Sequence, residues 1–212
     1  MNNENKPKSH KKRTYAPHIE AGVISVKEMK KLIAAVEADG AKNIKLSGEI
    51  IFVWDEGHGP GTQIEKQTSY EANDFRFGGV RPVKICSAET FCQRFQQPVL
   101  GLARKLDQMF YRRPLATKVI VGIAGCKRSC SEPATKDVGI IGMAEGYEIL
   151  VGGSAGYSPK IAKSIGMFPT QKKVIETVEK IMNYADKHCK KTERLGAVIE
   201  KVGMESFLKE IL

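Results

Sequence analysis

Apolar residues recur at helical spacing between residues 25 and 40. Val26, Met29, Leu32, Ile33 and Val36 mark one face there, and Gly40 supplies a stop. The pattern then changes. Residues 43–54 are rich in Ile, Val and Phe and read as strand structure. Residues 55–79 show no clear amphipathic helix. They open with a glycine loop around His58 and close at Gly78-Gly79. Alone in such a loop, His58 reads as a solvent-exposed side chain rather than a ligand. A short strand is predicted over 80–85, ending at Cys86. A helix follows over 98–111, with Val99, Leu102, Leu106, Met109 and Phe110 on its apolar side. A β-branched strand at 118–124 runs into Gly125-Cys126. Two more strands are predicted at 138–143 and 148–151, with Gly146-Tyr147 at their turn and a glycine-rich loop at 152–156. The longest helix is expected over 170–187, where Val174, Val178, Ile181 and Met182 share a face. Two short helical stretches, around 194–202 and 205–212, end the chain. No tandem repeat interrupts this order, and the fold class expected is mixed α+β.

At 212 residues the chain holds one domain, or two small ones sharing a core. No apolar run approaches the roughly 20 residues that span a bilayer. Membrane-span, collagen, coiled-coil and fully disordered readings are excluded. The N-terminal lysines precede no apolar segment, so no secretory signal is read. Residues 1–20 read as a flexible, solvated leader. Lysine and arginine number 34 against 24 acidic residues, a net charge of +10. Lys6, Lys8, Lys11, Lys12 and Arg13 account for part of that excess. The remainder lies in the folded part and suggests an anionic partner: nucleic acid, an acidic protein or a polyanionic cofactor.

Five cysteines are present. Without an export signal, structural disulfides are not expected. Cys86 and Cys92 form C-x5-C, and Cys126 and Cys130 form C-x3-C. Each pair begins where a short strand runs out into a loop, a place from which thiolates of neighbouring strands can converge. Soft thiolates select iron–sulfur clusters, zinc or copper(I). Structural zinc sites favour C-x2–4-C pairs, which these spacings fit less well. The spacing alone leaves a 4Fe–4S cluster leading, with zinc and unliganded core thiols as alternatives. Cys189, at the end of the long helix, reads as an incidental buried thiol.

The residues around the cysteines add a resemblance. VRPVKICSAETFC (80–92), GCKRSCSEPATKDVGIIG (125–142) and GYEILVGGSAG (146–156) together resemble the sirohaem-containing nitrite/sulfite reductase family. The family pairs C-x5-C with a Gly-Cys-x-x-x-Cys loop, then an Asp-x-Gly strand and a glycine pair. Asp137-Val138-Gly139 and Gly152-Gly153 stand at those places. ERLGAVIEKVGMESF (193–207) is similar to the family's closing helices. The resemblance covers roughly residues 22–212 and is more specific around the cysteines than in the N-terminal half. It implies a basic leader (1–20), a ferredoxin-like half-domain (21–80) and a 4Fe–4S and sirohaem-binding domain of mixed α/β structure (81–212). It implies that Cys86, Cys92, Cys126 and Cys130 ligate the cluster, with Cys130 also bridging to the sirohaem iron. Sirohaem carries eight carboxylates, for which Arg76, Arg81, Lys84, Lys118, Lys127 and Arg128 are candidate partners. Arg81 and Lys118 would hold the substrate anion, and Lys118 could donate protons.

Two departures stand out. Where the family carries an arginine in its first strand, this chain has Glu49 or Ile51, depending on register. Of two alternating lysines before the third cysteine, Lys118 matches the first and Ile120 replaces the second. Each lost cation could weaken oxyanion stabilisation by a few kcal/mol in a dry pocket; Lys127 and Arg128 could compensate in part. The family's classical members pair two such units in one chain, and one is read here, so the unit is expected either to work alone, as in small members of the family, or to pair as a homodimer that covers its open sheet edge. The helix the family carries before the first cysteine is not evident. The leading expectation is a cytoplasmic enzyme reducing sulfite to sulfide or nitrite to ammonia. No flavin or nicotinamide fingerprint is apparent, so electrons would come from a small separate donor such as ferredoxin, and the basic surface would suit an acidic one. The alternative is a redox or electron-transfer protein that keeps the cluster, with or without sirohaem, behind a remodelled pocket. Nucleic-acid binding through the lysine tail and a zinc knot ranks last.

Overall fold

The computed structural model describes residues 13–73 and 78–212, and the chain divides into two compact units, residues 1–73 and 74–212. The first unit holds a three-stranded antiparallel sheet and two helices. Strand β1 (Thr14–Tyr15) is followed by a 3-10 turn, helix α1 (Val26–Ala38), strands β2 (Asn43–Leu46) and β3 (Ile50–Val53), and helix α2 (Gln63–Thr68). The sheet order is β1-β3-β2. Tyr15 lies opposite Phe52, and Leu46 opposite Ile50. Helix α1 starts at a reciprocal cap. The Ser25 hydroxyl accepts from the Glu28 N–H while the Glu28 carboxylate accepts from the Ser25 N–H. Tyr15, Leu32, Val36, Phe52, Trp54 and Ile64 form the core of this unit.

Two expectations change here. The end of the leader is ordered: Thr14 and Tyr15 pair with β3, and Tyr15, Ala16 and Pro17 are buried. Pairing with a strand almost forty residues away is invisible to local composition. The polar stretch 55–79 does contain a helix, α2, which buries Ile64 alone. One apolar contact in two turns leaves no periodicity to read. His58 is exposed, as expected.

The second unit begins with two short strands, β4 (Gly79–Val80) and β5 (Lys84–Ile85), then helices α3 (Ala88–Phe91) and α4 (Leu100–Phe110). Strands β6 (Lys118–Val119), β7 (Val121–Ala124), β8 (Val138–Met143), β9 (Gly146–Val151) and β10 (Lys163–Phe168) follow. Helices α5 (Gln171–His188), α6 (Leu195–Val202) and α7 (Met204–Ile211) close the chain. The main sheet has the order β10-β9-β8-β7-β5. Strands β5, β7 and β8 run parallel, and β9 and β10 continue antiparallel. Strands β4 and β6 pair separately, in parallel. Strand β4 therefore belongs to the second unit, so the boundary lies at Asn73 rather than at residue 80.

Each strand expected over 80–85 and 118–124 is thus two strands. The interruption has a specific cause. Arg81 N–H still bonds to Val119 O at 2.9 Å, but Pro82 has no N–H and Val83 N–H turns to the Asp107 carboxylate at 3.0 Å. Opposite them, Ile120 N–H bonds to the Asp137 carboxylate at 2.8 Å instead of a strand. Strand β10 was not foreseen. It is an edge strand with a register shift between Ser164 and Gly166, which breaks the alternation that marks a strand. Among the described residues, no helix is long and apolar enough to cross a membrane.

Candidate functional site

The parallel pairing of β5 with β7 aligns Ile85 with Ile123 and brings both strands to the same end of the sheet. Cys86 follows β5 directly, and Cys126 follows β7 after Gly125. The chain then turns back twice. Between Cys86 and Cys92 the short helix α3 fills the loop, and Cys92 N–H closes on Ala88 O at 3.0 Å. Between Cys126 and Cys130, Ser129 takes a left-handed conformation (φ 53°) and its N–H bonds to Cys126 O at 3.1 Å. Ser131 Oγ donates to Ile123 O at 2.6 Å, tying the loop back to its strand.

These turns place all four cysteines on the wall of one pocket of about 100 Å³. Ala88, Arg94, Phe95, Gly125, Arg128 and Ser129 complete much of its lining. Cys86, Cys92 and Cys126 are half-buried, while Cys130 is exposed. Two backbone N–H groups, of Ala88 and Gly125, approach Cys86 Sγ at 3.3 Å. Gly125 must stay small, because a Cβ there would lie 3.1 Å from Gln97 O and 3.3 Å from Phe95 Cβ. Glu89, within α3, ties the loop to the next helix. Its carboxylate accepts the N–H groups of Val99 and Leu100 at 2.9 and 3.0 Å, capping α4. Among the described residues no three His, Cys, Asp or Glu side chains are grouped tightly enough for one metal ion. Cys189 is buried away from the pocket, and burial pushes its thiol up to about 11.

Arg128 lines the pocket and Lys127 stands exposed beside it. Neither Arg81 nor Lys118 lines it. They belong to a second group, at the β4–β6 pair. There the Lys118 ammonium is half-buried and its pKa is lowered. Burial contributes most, followed by the positive charges of Arg194 and Arg81, while Asp137 opposes them. Asp137 is fully buried and receives a two-point clamp from Arg194. Burial pushes its carboxyl up, against the stabilising effect of Arg194, the Ile120 N–H and Lys118. Lys84 is half-buried on β5. Arg76 lies outside the described residues. Glu49 lies in the turn of the β2–β3 hairpin, where its carboxylate accepts the Asn73 amide at 2.8 Å.

Sequence reasoning missed two residues. Arg94 lies two positions after Cys92, and proximity to the motif was its only signal. Arg194 lies 57 positions from Asp137, and nothing in its own segment points to that partner.

Comparison with known proteins agrees with this architecture. The sequence profile described as "Nitrite and sulphite reductase 4Fe-4S domain" matches residues 77–212. A nitrite reductase [NAD(P)H] of Bacillus subtilis is 26% identical over 200 residues, covering 89% of this chain and 24% of that protein. An assimilatory-type sulfite reductase of Nitratidesulfovibrio vulgaris is 26% identical over 133 residues, covering 63% of this chain and 61% of that protein. The chain thus spans from about a quarter to about three-fifths of these relatives. Among solved structures, dissimilatory sulfite reductase I superposes with a TM-score of 0.78 at 13% identity, covering 93% of this chain and 68% of that one. The NirA protein of Mycobacterium tuberculosis superposes at 0.71 and 16% identity, covering 91% and 38%. At such identities the likeness is one of fold. Four cysteines converging at the ends of two parallel strands, within the matched profile, lead to one conclusion: the chain belongs to the nitrite and sulphite reductase 4Fe-4S domain family.

Proposed function

We propose that Cys86, Cys92, Cys126 and Cys130 hold a 4Fe–4S cluster, that sirohaem binds beside it, and that the protein reduces sulfite or nitrite with electrons from a separate donor. The observation that carries this reading is the convergence of the four thiols on one pocket wall. A polynuclear cluster suits thiols spread around a pocket, and the N–H groups aimed at Cys86 suit a thiolate ligand. The exposure of Cys130, against three half-buried partners, suits a sulfur shared with a second cofactor. Arg94, Lys127 and Arg128 at the pocket and its rim suit a carboxylate-rich macrocycle. When bound, the two cofactors supply the one-electron steps of the reduction.

The chain's own part is to hold the anion and supply protons. Arg81 and Lys118 are the residues we assign to the anion. The lowered pKa of Lys118 brings its Nζ proton closer to the range in which a donor works at neutral pH. Arg81 and Lys118 both stand outside the lining of the cysteine pocket. We accordingly expect a homodimer in which one copy's cations face the other's cysteines; a strict monomer that turns over would contradict it. On this reading the protein works in the cytoplasm, where thiolates stay reduced, and takes electrons from an acidic donor such as ferredoxin. Ile120 in place of a cation favours one second reading, a redox carrier without reductase activity.

The test is anaerobic purification followed by assay of iron, inorganic sulfide and tetrapyrrole, then turnover with reduced viologen. Iron and sulfide with tetrapyrrole, and consumption of either anion, are expected. Tetrapyrrole with neither anion reduced would overturn the reductase assignment in favour of the carrier. Zinc without sulfide would overturn both.

A further inference from the structure

Asp137 is the acid around which the start of β8 is built. Arg194 Nε donates to its Oδ1 at 3.0 Å and Arg194 Nη2 to its Oδ2 at 2.6 Å. The Ile120 N–H donates to Oδ2 as well, at 2.8 Å. The Asp137 backbone carbonyl receives the Gly152 N–H at 2.9 Å. One buried residue thus ties together the break between β6 and β7, the entry to β8, the glycine pair and the start of α6. An arginine fork on a carboxylate is the most directional ion pair available to a protein.

Lys118 stands two positions before Ile120, whose N–H reaches Asp137, and one before Val119, whose carbonyl accepts the Arg81 N–H at 2.9 Å. Its ammonium accordingly has Arg194 and Arg81 as repelling charges and Asp137 as an attracting one. A buried carboxylate next to an ammonium would ordinarily capture it. Here it does not. Among the described residues the Lys118 side chain has no hydrogen-bond or ion-pair partner, and the ion-pair partner of Asp137 is Arg194. Arg194 and Lys118 both act on this one carboxylate, while Arg81 acts on Lys118.

We propose that Arg194 is a positioning residue for the anion site: its clamp occupies both oxygens of Asp137, so that this carboxylate does not capture Lys118, and the Lys118 ammonium stays available to an anionic ligand beside Arg81. This role rests on the assignment of Lys118 to the anion. It also gives a reason for the conspicuous coupling of α6 to a strand break so far away in sequence. The charge that Ile120 does not supply is made up by keeping the remaining lysine unpaired.

The test reads Lys118 directly in the cofactor-loaded protein. Competitive acetylation across a pH series, followed by peptide mass spectrometry, gives the titration of that one amine. In Arg194→Gln the freed carboxylate turns to Lys118, and a repelling cation is lost. Lys118 should then titrate about one unit higher. In Asp137→Asn both arginines remain without the carboxylate, and Lys118 should titrate lower than in the wild type. Arg194→Lys keeps the charge without the fork and should lie between wild type and Arg194→Gln. Because a buried charge left alone can prevent folding, the double variant Asp137→Asn with Arg194→Gln removes both charges together and should titrate close to the wild type. The KM for sulfite or nitrite should rise in Arg194→Gln and recover in Arg194→Lys. A rise in Arg194→Lys, where the charge is kept and only the fork is lost, supports the clamp, since the charges by themselves already set opposite signs in the two other single variants. Unmoved titration in both, or a large shift in the double variant, overturns it. If titrations behave as stated but the wild type reduces neither anion, the reductase reading fails while the clamp stands. If the wild type turns over and Arg194→Gln changes neither titration nor KM, the clamp fails and the reductase reading stands.

Discussion

Two glycines inside helices should respond to the same substitution with opposite signs. Gly196 lies in the first turn of α6, where the helix meets the glycine pair after β9. A Cβ added there would lie 2.1 Å from Gly152 O, 2.9 Å from Gly152 C and 3.1 Å from Gly152 Cα. All three are backbone atoms, so no side chain can swing aside. Ordinary contact begins near 3.4 Å, so α6 must retreat by more than about 1 Å. Forced repacking of this kind costs about 1–3 kcal/mol. The retreat also draws Arg194 off Asp137, and breaking a buried ion pair costs roughly 3–5 kcal/mol when complete. Alanine's helical preference over glycine returns only about 1 kcal/mol. Gly196→Ala should therefore lose about 2–5 kcal/mol. At roughly 2–4 °C per kcal/mol for a protein of this size, that is a fall in Tm of roughly 5–15 °C. Gly101 in α4 is the control. Nothing lies within 4 Å of a Cβ there, so Gly101→Ala should gain about 0.5–1 kcal/mol. Thermal unfolding of the two variants and the wild type, under one set of anaerobic conditions, decides the matter. If Gly196→Ala unfolds with the wild type, or both variants shift in the same direction, the close approach of α6 to Gly152 is not what holds Arg194 in place.

Serine at Cys86, Cys92, Cys126 or Cys130 should cost the purified protein most of its iron and inorganic sulfide, whereas Cys189→Ser should keep both; equal metal content in all five variants would disprove the ligand assignment. Because burial pushes the Cys189 thiol up to about 11, iodoacetamide at neutral pH should label it only after denaturation, and labelling of the native protein at the rate of a free thiol would contradict this. Burial likewise pushes the Tyr15 hydroxyl from its ordinary 10 to about 12. An acid whose pKa is raised by folding stabilises the fold fully below its unfolded pKa, and that contribution is lost as pH rises through the folded value. The first unit should therefore lose stability between about pH 10 and 12. Tyr15→Phe should weaken this alkaline dependence, leaving the part due to Tyr70, whose hydroxyl burial also raises, as followed by unfolding across a pH series, and a slope unchanged by the substitution would exclude Tyr15 as a source.

Much of the candidate site was readable because its residues are close in sequence and chemically rare. Two cysteine pairs, each following a β-branched run, mark two strand ends and a soft-metal chemistry without knowledge of the partner strand. Helices α1, α4 and α5 were legible for a related reason. Each buries apolar residues at helical spacing, such as Leu102, Leu106 and Phe110 in α4, and that spacing has a period; in α1 the buried part narrows to Leu32 and Val36, with Val26 and Ile33 exposed. Where an element buries one residue, like α2 with Ile64, or carries a bulge, like β10, the period is absent and so was the expectation. The strand expected over 118–124 failed in a more instructive way. Its residues do form extended chain, but Asp137 takes the N–H of Ile120, and the strand splits between two sheets.

By itself the sequence determined the residue types: four thiols for soft metal, an excess of cations, one lysine where two were expected, and the order of most helices and strands. These follow from side-chain chemistry and from local periodicity, which act over a few residues. Only the tertiary structure decided which charges meet. Parallel pairing of β5 with β7 places Cys86 beside Gly125 and its loop. Folding across 57 residues sets Arg194 on Asp137, the same carboxylate that takes the Ile120 N–H two positions after Lys118. An electrostatic interaction depends on distance and burial in space, and neither quantity is encoded by neighbours along the chain.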